Sequence, residues 1–88
     1  MSGLEGKLAE IAARFAARVP EERAAIAEAL AKGDMPALID RAHKLAGIAG
    51  MFGHADVGAA ALALEETALA GKDCAPEGAA LIALLDRL

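Results

Sequence analysis

The stretch Arg41-Ala42-His43-Lys44-Leu45-Ala46-Gly47-Ile48-Ala49-Gly50-Met51-Phe52-Gly53 decides how this chain is read. At about 100° per residue, Leu38, Ala42, Leu45, Ala49 and Phe52 fall on one face of a helix, its core stripe. His43 lies roughly 150° from the centre of that stripe and so points to solvent. Ala46, Gly47 and Gly50 surround it on the exposed side. A glycine inside a helix costs up to about 1 kcal/mol relative to alanine. In a chain this rich in alanine, Gly47 and Gly50 call for a reason. One reason is access: with no Cβ at Gly47, one turn beyond His43, another protein can approach the imidazole. The other is close packing between helices of the same chain, and periodicity leaves both open.

The segments on either side are also helical. Gly53 ends the central helix, and the next runs from about Asp56 to Ala70, closed by Gly71. Pro76 and Glu77 open a last helix bearing Leu81, Leu84, Leu85 and Leu88. Upstream, Asp34 is a good N-cap for the central helix, which begins around Met35 and Pro36. Before it, Pro20 suits the first turn of a helix that buries Ile26 and Leu30 and stops near Gly33. A first helix spans about Leu4 to Arg18, with Leu4, Leu8, Ile11 and Phe15 on one stripe. The short connections predict antiparallel neighbours. The expected fold is therefore all-α: an up-and-down antiparallel four-helix bundle with an additional N-terminal capping helix, forming one domain over residues 1–88.

Composition supports this class and excludes several functions. Apolar residues make up 57% of the 88, half of them alanine, with two phenylalanines and no tryptophan or tyrosine. Alanine is the best helix former, while the usual strand formers are scarce. The net charge is −4, and the basic residues are scattered rather than gathered in a stripe, which argues against nucleic acid and against an anionic membrane surface. No apolar run is long enough to span a bilayer, and the first ten residues lack a signal-peptide layout. Cys74 is the single cysteine, so an internal disulfide is impossible and a reducing, cytoplasmic setting is expected.

Two further positions bear on His43. Glu65 follows the turn at Gly53 by about as many residues as His43 precedes it. An antiparallel hairpin brings both to the same height, roughly 15 Å from the turn. A carboxylate there can hold Nδ1–H, fix the tautomer and leave Nε2 as a nucleophile. A plain hydrated carboxylate is the alternative. Leu62 and Leu69 fall opposite the stripe of Val57, Ala61, Leu64 and Ala68, which suits either a docking surface or packing against another helix. His54 lies roughly 16 Å along the helix from His43, too far to share a metal, and no metal site is expected.

The string AHKLAGIAGMFG, with Leu64-Glu65 in the next helix, resembles the signature of histidine-containing phosphotransfer (HPt) domains. The matching positions are Ala42, His43, Leu45, Gly47, Ala49, Gly53, Leu64 and Glu65. The resemblance implies that His43 accepts a phosphoryl group and passes it between receiver domains, or from a histidine kinase to a response regulator. With that role, Ala46, Gly47 and Gly50 beside the histidine, with Leu62 and Leu69, are the candidate docking surface, helix packing being the alternative for the leucines. Many HPt domains carry lysine three residues after the histidine. Ala46 stands there in this chain, and Lys44, about 100° away around the helix, is either a partial substitute for neutralising phosphate or a solvated surface lysine. The chain has no nucleotide loop and no acidic metal cluster, so no cofactor is expected on it and Mg²⁺ is expected in the receiver. It would thus be a carrier rather than an enzyme, monomeric and free-standing. The alternative is a helical module that binds a receiver or kinase without accepting phosphate.

Overall fold

In a computed structural model, which describes residues 2–88 and their side chains from residue 6 onward, the chain forms four helices. They are α1 (Ser2–Lys32), α2 (Met35–Met51), α3 (Ala55–Leu69) and α4 (Ala75–Leu85). No strand occurs among the described residues. α1 touches α2 and α4, α3 touches the same two, and the diagonal pairs do not meet. The bundle is therefore square in section, with α2 at one corner.

Local chemistry sets the corners. Gly53 follows α2 at φ 82°, a left-handed conformation that glycine adopts without strain. Its N–H donates to Gly50 O, and the His54 N–H donates to Ala49 O at 3.0 Å. These two bonds are the Schellman pair that closes a helix end. Gly33 repeats the arrangement between α1 and α2, with Asp34 N–H donating to Ala29 O at 3.0 Å. Asp34 then caps α2 by accepting from Ala37 N–H at 3.2 Å, as its position predicts.

The core is one cluster in which Ile26, Leu38, Leu45, Val57, Leu64, Leu81 and Leu85 are all but completely buried. The stripes predicted for α2 and α3 are the ones buried: Leu38, Ala42, Leu45 and Ala49 on one, Val57, Ala61, Leu64 and Ala68 on the other. Alanine on both lets the two helices approach closely. Phe52, expected on the same stripe, is half-buried just past the end of α2.

The expected N-terminal capping helix is not a separate element. α1 runs without interruption through Pro20. An interior proline removes one backbone hydrogen bond and crowds a carbonyl, at a cost of about 3 kcal/mol. The helix persists because Phe15 and Val19 before the proline and Ile26 and Ala29 after it lie in one phase and join one core. Breaking the helix would forfeit that shared burial. Ahead of Phe15 the predicted stripe is not covered: Leu8 is 52% exposed and Ile11 43%. Leu4 belongs to the same expected stripe, but its side chain lies outside the described residues. At 1.5 Å per residue, α1 is about 46 Å long and α2 about 25 Å. The long axis of the molecule is 47 Å, so the part of α1 ahead of Phe15 runs out past the ends of the shorter helices. Among the described residues, no helix is long and apolar enough to cross a membrane.

Candidate functional site

His43 stands on the outer face of α2, directly behind Ala42 and Leu45 of the core stripe, with its side chain 73% exposed. Its Nδ1 lies 2.8 Å from Glu65 Oε2 on α3. The Glu65 side chain is only 13% exposed, held in place because its neighbour Leu64 is completely buried. An ionised carboxylate can only accept. In the neutral ring Nδ1 is therefore the donor, and the lone pair sits on Nε2, on the side away from Glu65.

The register that brings these groups together depends on a residue that helical periodicity does not single out, Gly58. A Cβ built there would lie 3.4 Å from Ala46 O and 3.5 Å from Gly50 N. The two helices thus cross almost backbone to backbone, about one to two turns from His43. The sequence signal is a pair of small residues four apart on α2, Ala46 and Gly50, with a glycine at the matching height of α3.

This crossing separates the small residues around the histidine. Ala46 is half-buried and packs against the core. Gly50 is exposed, yet its backbone meets the Gly58 position. Gly47 is exposed and a Cβ there would meet nothing within 4 Å. Both reasons for interior glycines therefore operate, at different residues. We expect Gly47→Leu to leave helicity and the melting temperature nearly unchanged. Gly58→Leu, driven into the backbone of α2, should lower stability by about 1–3 kcal/mol, readable by urea denaturation of the two variants side by side.

Leu62 and Leu69 are 48% and 64% exposed, on the stripe of α3 that carries Glu65. Lys44 does not turn toward the imidazole. Its Nζ lies 3.1 Å from Asp40 Oδ2 in an exposed pair one helical turn apart. His54 is likewise accounted for structurally: its ring packs 5.5 Å from that of Phe15, which in turn stacks 5.8 Å from Phe52. Among the described residues no group of three His, Cys, Asp or Glu is placed to hold a metal. Cys74 is buried at the N-terminus of α4, and burial, with Glu77 and Asp73 nearby, pushes its thiol above the ordinary range.

A family model described as the Hpt domain matches residues 10–88 of the chain. The chain belongs to the Hpt domain family. No curated protein and no solved structure matches it. Hpt domains are carriers in histidine phosphotransfer, the phosphorelay chemistry of two-component signalling, and they work with receiver domains. The match takes in α2, α3 and α4 entirely, and it leaves out only the outermost part of the α1 overhang in this Hpt domain.

Proposed function

We propose that His43 is the phosphoacceptor of this Hpt domain and that Glu65 is its positioning residue. The observation that carries the reading is the 2.8 Å contact between Nδ1 and Glu65 on a ring otherwise open to solvent. Nε2 attacks the phosphorus of a receiver's aspartyl phosphate in line. The N–P bond forms as the P–O bond to the aspartate breaks, and the aspartate leaves as a carboxylate. Glu65 keeps Nδ1–H hydrogen-bonded and stabilises the positive charge that the ring gains as it is phosphorylated. The reverse sequence returns the group to the same or a second receiver.

Phosphoryl transfer requires positioning and charge neutralisation more than covalent help from the carrier. Mg²⁺ and the acidic pocket are assigned to the receiver. Within this chain Lys44 is the nearest candidate for a cation, and it would have to leave Asp40 to act. Gly47 and Gly50 give the partner room above the ring, while Leu62 and Leu69 offer apolar contact on α3. Ala46 contributes by letting α3 come close. A histidine kinase upstream and a response regulator downstream complete the proposed relay.

The test is incubation with a phosphorylated receiver and Mg²⁺, followed by assay for acid-labile, base-stable phosphate on the chain. In that assay Glu65→Gln should still accept phosphate, but about 10- to 100-fold more slowly, the range for losing a partner that orients an imidazole. Its fold should be unchanged. A variant as fast as the parent would remove Glu65 from the mechanism.

A further inference from the structure

The charges around His43 bear on where a phosphoryl group comes to rest. We propose that Asp40 is a positioning residue: it keeps Lys44 off a phosphoryl group on His43, so that the group passes to a receiver instead of accumulating on this chain. The proposal rests on His43 being the phosphoacceptor and adds what sets the balance of the transfer.

Helical side chains lean toward the N-terminus, so the imidazole of His43 lies over the turn that carries Asp40. Residues three and four away are the surface neighbours of a helical residue. For His43 these are Ile39, Asp40, Ala46 and Gly47, of which Asp40 alone is charged. The corresponding neighbours of Glu65 on α3 are all alanine or leucine. The charged groups flanking the ring on both helices are therefore carboxylates. Glu65 is engaged with Nδ1 at 2.8 Å, where a carboxylate favours the phosphorylated ring. Asp40 pairs with Lys44 instead, and a phosphoryl group brings roughly −1.5 to −2 charges of its own at pH 7.

Among the described residues a single cation is placed to answer that charge. Of the nine lysines and arginines, five sit on α1, which does not meet α3. Arg41 is turned to the α1 side, 3.5 Å from Glu22. Lys72 follows the end of α3, about 10 Å along from Glu65, and Arg87 follows the end of α4. Lys44 remains, next to His43 in the chain. Its Nζ lies 3.1 Å from Asp40 Oδ2, and both side chains are well exposed. An acid four residues before a base is the favoured order for such a pair on a helix. While the pair holds, the phosphoryl group has no cation from this chain. Exposed pairs are weak, so this one is a bias rather than a lock. Removing the charge of Asp40 frees Lys44 to swing to the phosphoryl oxygens.

The balance of transfer then tilts toward the receiver. As the group leaves, the N–P bond breaks, the P–O bond to the receiver's aspartate forms, and Nε2 recovers its electron pair. The receiver's Mg²⁺ draws the group, and this chain offers little to hold it back.

The test reads the ratio of phosphate on His43 to phosphate on the receiver's aspartate, after a phosphorylated receiver and Mg²⁺ have equilibrated with an equal amount of this domain. As an equilibrium between free domains, the ratio is insensitive to how fast they dock. At low salt, Asp40→Asn should raise it about fivefold, the effect of one unit charge about 4 Å away in water. Raising the salt should shrink that difference. Asp40→Glu, which keeps the carboxylate, should behave as the parent. In a Lys44→Gln background the Asp40→Asn change should move the ratio less than about twofold, because the cation it frees is gone. A ratio unmoved by Asp40→Asn, or a rise that persists without Lys44, would overturn the role of Asp40 and leave His43 as the phosphoacceptor. No label on any form would remove that reading and this inference with it.

Discussion

His43→Gln should fold as the parent does and take up no phosphoryl group. The fold should survive because the ring contributes nothing to the core: it is 73% exposed and its contact is a surface hydrogen bond to Glu65. Glutamine is helix-compatible and its amide can donate to the same carboxylate. Stability should therefore change by less than about 0.5 kcal/mol, the usual range for exposed positions. The chemistry should vanish because an amide nitrogen has no available lone pair to attack phosphorus. Label from a phosphorylated receiver should appear on the parent and on His54→Gln, whose ring is engaged with Phe15, and not on His43→Gln. Phosphate retained on the His43 variant would refute the assignment. No label on any form, with several active receivers, would point to a module that only docks.

Leu64→Ala should cost the bundle far more stability than any change on the histidine face. Leu64 is completely buried on α3 and belongs to the one core cluster. Removing its side chain forfeits the transfer free energy and leaves a cavity, together about 3 kcal/mol within the range for such sites. For a domain of this size that loss lowers the melting temperature by roughly 12–24 °C. A small domain has only about 5–15 kcal/mol to lose. Leu62→Ala, two residues away and 48% exposed, should change stability by less than about 0.5 kcal/mol. Urea denaturation of the pair checks both values, and similar losses for the two would show that α3 does not bury the face described.

The motif around His43 and the fold behind it were accessible without coordinates for a definite reason. The corners at Gly33 and Gly53 and the cap at Asp34 are short-range devices, decided by backbone sterics and one hydrogen bond each. Core stripes on α2 and α3 follow from a helical period that any window reveals. The similar spacings of His43 and Glu65 from Gly53, ten residues and twelve, set a common height, and the 2.8 Å contact is what those spacings allow.

Other features depended on what lies across space. Pro20 is a break signal locally, yet α1 continues, since the residues on both sides of it share one core. The stripe of Leu8 and Ile11 is an ordinary buried stripe by period, but it lies where α1 outruns its shorter neighbours, and it stays about half exposed. Gly58 carries no signal of its own until α2 is laid against it, and Lys44 turns to Asp40 rather than toward the imidazole. Periodicity, caps and turns are properties of a few consecutive residues, so the sequence by itself determined α2, α3 and α4, the inward faces of α2 and α3, and the outward histidine. Coverage, crossing distance and ion pairing depend on which surfaces meet. For that reason only the tertiary structure decided the unbroken α1 and the Gly58 crossing.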